Sequence, residues 1–227
     1  MSSAPEAAHT RLSDLFASAV HRYGTVWADL LVASLAFVAL ASLPVGVLHA
    51  AGAGSTTIGL ASDLAYGIAY FGFLGFVMLR GLPARTGGRR VVATYAVAVV
   101  VGGLAGLLLI VLSTMIVALL PLLLLCVPAA AAGDASAVTA IPLGILLVLR
   151  NFTRTYAVWL VTMVFSAPVG VSMFLVVNAF AGGGTAVLLA LLLSVPVVWP
   201  FSALFVRALY GDLTGRNVVA PQDRTTI

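Results

Sequence analysis

The sequence predicts an all-α fold: a polytopic transmembrane helical bundle of about six spans, opened by an N-terminal amphipathic interfacial helix. Three observations carry that class. Of 227 residues 62% are hydrophobic and 8% charged, giving a mean hydropathy of +1.18, whereas roughly a quarter of the residues of a soluble domain carry charge. The charges cluster between long charge-free runs. Those runs reach the roughly 20 residues that a helix needs to cross a hydrocarbon core about 30 Å thick.

Before the first run, Leu12, Leu15, Phe16, Ala19, Val20 and Tyr23 recur at helical spacing, with Arg11, Asp14, Ser18 and Arg22 off that stripe. Residues 1–25 therefore read as a cytoplasmic tail and an amphipathic helix lying along the inner membrane surface. The apolar run starts too late, and is too long, for a cleaved secretory signal. Span one is 26–48, with Asp29 near its start, and span two is 57–79, with Asp63 inside it. Arg80, Arg85, Arg89 and Arg90 then fall in one tight loop. From Val91 to Gly133 no residue is charged, and 42 or so helical residues would reach about 63 Å, twice the membrane thickness. Ser113 and Thr114 are the polar pair near its middle, so a turn there gives spans of 91–111 and 115–132, the second kinked by Pro121 and Pro128. The apolar stretch 138–149 is short for a crossing and reads as interfacial or re-entrant. The alternative, in which 91–133 crosses once and 138–149 crosses back, keeps both chain ends on the same side. Spans at 156–179 and 185–206 close a bundle covering 26–207, and 208–227 is a second cytoplasmic tail.

Arginine placement predicts orientation, because short cytoplasmic loops are rich in basic residues. With the N-terminus inside, all eleven arginines lie on the cytoplasmic side. Trp27, Trp159 and Trp199 fall towards the same ends of their spans, where an interface favours amphipathic rings. The localisation expected is the cell's inner (plasma) membrane, multi-pass, with both termini cytoplasmic.

Composition also removes chemistries. A chain without lysine forms no retinal or pyridoxal Schiff base. A single cysteine, Cys126, allows no internal disulfide, Cys-rich metal site or CxxCH haem attachment. HExxH, GxSxG, Walker and GxGxxG motifs are absent. No catalytic residue, cofactor or metal is expected.

An intramembrane carboxyl group costs about 2.5–3.5 kcal/mol on insertion scales, so Asp63 is the first candidate for function. Tyr66 and Tyr70 follow at i+3 and i+7 on the same helical face, and His49, at the outer end of span one, is a partner within reach. Two roles are open to Asp63: a proton or cation site at an outward-facing cavity, or a hydrogen bond to a neighbouring helix. Asp29 is shallow enough to anchor at the interface, paired with Arg22 or Arg154. Asn178 reads as a helix cap beside a Gly-rich turn. Arg80, Arg85, Arg89 and Arg90 can contact lipid phosphates, and they serve topology equally well. Small-residue ridges at Ala61/Ala65/Ala69, Gly102/Gly106 and Thr162/Ser166/Gly170 suit close helix packing. Pro168, Pro196 and Pro200 should kink the last two spans.

The chain ends Phe205-Val206-Arg207-Ala208-Leu209-Tyr210-Gly211-Asp212-Leu213-Thr214-Gly215-Arg216. A last span running into an aromatic-x-Asp-Leu-x-x-Arg tail, with Pro128 and Asp134 before it, resembles the membrane domain attached to some bacterial glycerophosphodiester phosphodiesterases and found alone in actinobacterial membrane proteins, a relative of Yip-type proteins. The apolar 138–149 departs from that family's Arg-Ser-rich helix. The resemblance implies no catalytic site, since Pro128, Asp134, Tyr210, Asp212 and Arg216 have no assigned catalytic role in it and the phosphodiesterase domain has no counterpart here.

The function expected is a non-catalytic membrane scaffold, assembly factor or lipid-associated accessory subunit. The alternative is a small transporter or permease subunit using Asp63, and an intramembrane enzyme comes third. Expected partners are membrane lipids, other membrane-protein subunits or a second copy of the chain, and no nucleic acid. The hairpin topology is tested by cysteine labelling. Ser113→Cys should react with an impermeant maleimide from outside and Asp134→Cys only from inside; outside labelling at residue 134 would overturn it.

Overall fold

The computed structural model describes residues 10–80, 87–112, 119–133, 136–181 and 183–215, which are helical and contain no strand. The helices are α1 (Leu12–Ala50), α2 (Ser55–Arg80), α3 (Gly88–Leu112), α4 (Cys126–Ala132), α5 (Ala137–Arg150), α6 (Phe152–Ala181) and α7 (Gly183–Leu213), with a 3-10 segment at Leu120–Leu123 before α4. Five of them, α1, α2, α3, α6 and α7, are long and apolar enough to cross a membrane. Val32, Leu40, Leu43 and Val47 on α1 and Val164 and Leu175 on α6 are 62–71% exposed. Water would penalise such an apolar surface, and hydrocarbon would not.

The separate interfacial helix expected before residue 26 is instead the start of α1, which runs 39 residues without a break, about 58 Å. Its apolar stripe packs on the bundle. Leu15 and Ala19 are buried, and the Phe16 ring meets Phe201 and Phe205 of α7 edge-on at 5.5 and 6.0 Å. Further along, the Ser34 hydroxyl reaches the Pro196 carbonyl at 3.4 Å. Eighteen residues separate Phe16 from Ser34, about 27 Å of rise, but only nine separate Pro196 from Phe205, about 13 Å. The two helices therefore cannot run side by side over that length, and the beginning of α1 turns across α7. There the chain's two described ends meet. Asp212 accepts hydrogen bonds from the Thr10 amide at 2.9 Å and from Arg154 at 2.5 Å, and Arg154 also donates to the Thr10 carbonyl.

Glycine sets the α2–α3 contact. A Cβ on Gly102 would lie 2.5 Å from the Ile68 Cα and 2.7 Å from the Gly67 carbonyl oxygen, and one on Gly106 would lie 2.8 Å from the Asp63 carbonyl oxygen. The Gly102/Gly106 ridge thus packs backbone to backbone. Its opposite number is Gly67 with its neighbours rather than an alanine ridge.

The fourth span does not form as one kinked helix over 115–132. Pro121 sits at the start of the 3-10 segment, and the α-helix restarts only at Cys126, with Pro128 in its first turn, where a missing N–H costs least. The prolines therefore set starts instead of kinks. The expected turn at Ser113 and Thr114 lies outside the described residues. Leu123, Leu125, Cys126, Val127, Ala129 and Ala130 are all buried, so this apolar stretch packs inside the bundle. Gly133 ends α4 at φ 74°, the left-handed conformation that glycine adopts without strain. Arg90 reaches over from α3, its Nε donating to the Ala131 carbonyl at 2.5 Å. A cation is favoured at a helix C-terminus.

At the position expected for a short interfacial or re-entrant segment, α5 is a separate 14-residue helix, N-capped by Ser136, whose hydroxyl accepts from the Thr139 amide. It lies tightly on α4: a Cβ on Gly144 would come within 2.5 Å of the Cys126 Cα. Both α6 and α7 continue through Pro168, Pro196 and Pro200. Asn178 is no cap, since α6 extends three residues past it to Ala181.

Gly102→Ala should destabilise the protein by about 1–3 kcal/mol, the usual cost of overpacking, because the new methyl meets backbone. Gly103, one residue on, has open space at its Cβ position, so Gly103→Ala should leave the thermal midpoint in detergent unchanged or raised. Equal midpoints for the two variants would contradict the backbone contact.

Candidate functional site

Asp63 lies eight residues from the start of α2, about 12 Å along the helix. Its i+3 and i+7 neighbours are tied to different helices. The Tyr66 hydroxyl is 3.1 Å from the Ser42 hydroxyl on α1, and the Tyr70 hydroxyl is 2.7 Å from the Ser202 hydroxyl on α7. Each bond satisfies two polar groups that hydrocarbon could not, and together they fix the rotation of α2 about its axis.

That rotation places Asp63, Tyr66 and Tyr70 along one cavity of about 300 Å³, at the lower end of the range for small-molecule pockets. Trp159, Thr162, Met163 and Ser166 of α6 form the facing wall. Val198, Trp199, Ser202 and Val206 of α7, with Phe71, Ala105, Leu120 and Leu124, enclose the rest. Asp63 and Met163 are the exposed members of this lining, so they mark the mouth. Met163 is eleven residues into α6, about 17 Å from its start, so the mouth opens part-way up the bundle and not at its end.

The polar groups inside are largely committed. The Thr162 hydroxyl donates to the Val158 carbonyl at 2.9 Å, and the Ser166 hydroxyl to the Thr162 carbonyl at 2.6 Å. Thr162 and Ser166 therefore face the cavity, while Gly170, the third member of their ridge, has nothing within 4 Å of its Cβ position. The Trp199 ring is buried, 5.6 Å from Tyr70 and 6.2 Å from Phe73. Trp199 is thus a core residue rather than an interfacial one, Trp159 lines the cavity, and Trp27 remains 51% exposed.

Other candidates lie apart. His49, exposed in the last turn of α1, is outside the cavity lining. Asp29 pairs with Arg80, and not with Arg22 or Arg154; Arg154 is held by Asp212. Arg90 caps α4, Arg89 is exposed, and Arg85 lies outside the described residues. Of the five residues behind the family resemblance, Pro128 and Tyr210 are buried and Asp212 joins the chain ends. Asp134 and Arg216 lie outside the described residues. Among the described residues no group of three His, Cys, Asp or Glu side chains could hold a metal ion.

Sequence reasoning missed Ser202, Trp159 and Trp199 as cavity residues. A signal was there: Ser202 is one of three hydroxyl residues in the apolar last span, with Thr185 and Ser194, and stands three residues from Trp199; a polar group in such a helix faces a partner or a cavity.

No family model, curated protein or solved structure matches this chain.

A double-mutant cycle with Tyr70→Phe and Ser202→Ala should return a coupling of about 0.5–1.5 kcal/mol in unfolding free energy, the net value of one hydrogen bond. Additive effects would mean that the two hydroxyls do not act as a pair.

Proposed function

We propose that this chain is a non-catalytic protein of a bacterial inner membrane, a lipid-associated accessory or scaffold subunit that holds the apolar part of a membrane-soluble ligand in the cavity beside Asp63. The observation that carries this reading is the lining itself. It is mainly apolar and aromatic, its mouth lies part-way up the bundle, and the Thr162 and Ser166 hydroxyl protons are already given to backbone carbonyls. A pocket of this kind suits a hydrocarbon segment entering sideways from the bilayer.

The proposed topology has about six crossings, both termini cytoplasmic and the first turns of α1 at the inner surface. In support, the Thr10–Asp212 contact brings the two described ends of the chain together, as an even number of crossings would. Five long helices reach six when the broken segment Leu120–Ala132 returns the chain to the end where Arg90 meets Ala131. The steep crossing of α1 over α7 suits a helix that leaves the membrane and lies against it. Exposed Arg89 is left to meet lipid phosphates. The proposed partners are lipids and further membrane subunits or a second copy. The resemblance to the membrane domain of glycerophosphodiester phosphodiesterases points the same way.

A second reading, a small transporter or permease subunit, is favoured by one observation: an intramembrane carboxyl group stands at the cavity mouth. The experiments differ. Protein purified in mild detergent should retain a lipid or lipid-like molecule detectable by mass spectrometry, and Ser166→Phe, which fills the cavity, should lose it while keeping its melting temperature. Retention by the filled variant would overturn the accessory reading. If transport is the function, Asp63→Asn should abolish uptake into proteoliposomes with expression and melting temperature preserved.

A further inference from the structure

We infer that the cavity selects an amphipathic cation: a protonated amine or quaternary ammonium group carried on an apolar body. The inference rests on the proposed ligand-holding role of this cavity and names the chemical class that it takes.

Charge comes first. Among the described lining residues Asp63 is the one acid, and none is an arginine or a histidine; the chain has no lysine at all. An anionic headgroup would meet an acid at the mouth and no cation among the described lining residues. A cation at the mouth meets the acidic side chain instead, an interaction of the attractive sign.

Hydrogen-bonding capacity has the same sign. Thr162 and Ser166 have spent their protons on backbone carbonyls, so towards the cavity their oxygens can only accept. In the Tyr66–Ser42 pair both protons are spent, since Ser42 also donates to the Val38 carbonyl; in the Tyr70–Ser202 pair one is spent and one remains. That proton and the indole N–H groups of Trp159 and Trp199 are the donors of the described lining, all of them neutral, whereas Asp63, Thr162 and Ser166 offer acceptors, a balance that suits an ammonium group better than a phosphate or carboxylate.

The walls are suitable as well. Tyr66, Tyr70, Trp159 and Trp199 bring aromatic rings to one cavity, and ring faces attract cations, Trp most of all. The volume of about 300 Å³ admits one small molecule and is far too small for an entire phospholipid. The polar end of the ligand would then sit at Asp63 and its apolar body between α2, α6 and α7.

The test uses the full chain in lipid nanodiscs and an isosteric pair of probes, phenyltrimethylammonium and tert-butylbenzene, which differ by the replacement of N⁺ by carbon. Binding is read from tryptophan fluorescence and from the shift in melting temperature, with empty nanodiscs as the baseline. The ammonium should bind at least tenfold more tightly than the hydrocarbon, and Asp63→Asn should remove that preference while tert-butylbenzene still binds. Equal affinities in the unmodified chain would overturn the cation selectivity and leave the apolar cavity standing, a comparison that needs no variant to fold. Absence of binding by either probe, or unchanged binding of both in Ser166→Phe, would overturn the selectivity and the ligand-holding role together.

Discussion

The rest of the bundle depends on the contact in which α2 and α3 touch backbone to backbone. At Gly102 and Gly106 there is no room for even a methyl group against Gly67, Ile68 and Asp63. Lipid tails are as apolar as leucine, so burying hydrocarbon drives helix association in a membrane only weakly, and close packing has to take its place. This contact sets the height of α2 against α3. The hydroxyl pairs at Tyr66 and Tyr70 then set its rotation against α1 and α7. Once both are set, Asp63 has one direction to face, and that is the mouth of the cavity.

A second group of contacts works at the end of the bundle where the charges collect. Asp212 holds Thr10 and Arg154, Asp29 holds Arg80, and Arg90 and Arg207 donate to the Ala131 and Val77 carbonyls. The arginines that sequence reasoning assigned to topology therefore also close helix ends. The roles are compatible, because a guanidinium carries five donors and can satisfy a carbonyl while its charge stays near the interface. Exposed pairs such as Asp29–Arg80 contribute little stability by themselves. Asp212, whose side chain is 7% exposed, is the more consequential, since it joins three separate segments.

Among the described residues the regular pattern of long helices fails at 120–150. The 3-10 segment and α4 are short, largely buried and clasped by α5 through Gly144. Leu120 and Leu124 from this broken stretch also line the cavity. An unbroken fourth helix would present a different set of side chains there, so Pro121 and Pro128 shape the cavity although neither touches it. Ligand sites in membrane bundles are often built beside such interruptions, where irregular backbone is sheltered by protein.

The sequence by itself determined the helical class, the long apolar segments, the separate helix near 138–149 and the face shared by Asp63, Tyr66 and Tyr70. These follow from hydrophobicity and helical period, which are local properties of the chain. Tertiary structure decided what local pattern cannot encode: that α1 runs unbroken from Leu12, that Asp29 pairs with Arg80, that Trp199 is core, and that Thr162, Ser166 and Ser202 complete a cavity with Asp63. Each of these depends on which helix lies opposite and at what height. In a chain so uniformly apolar, almost any face could be the buried one. A few glycines, hydroxyls and prolines choose among them, and their partners lie up to 162 residues away, as for Ser34 and Pro196.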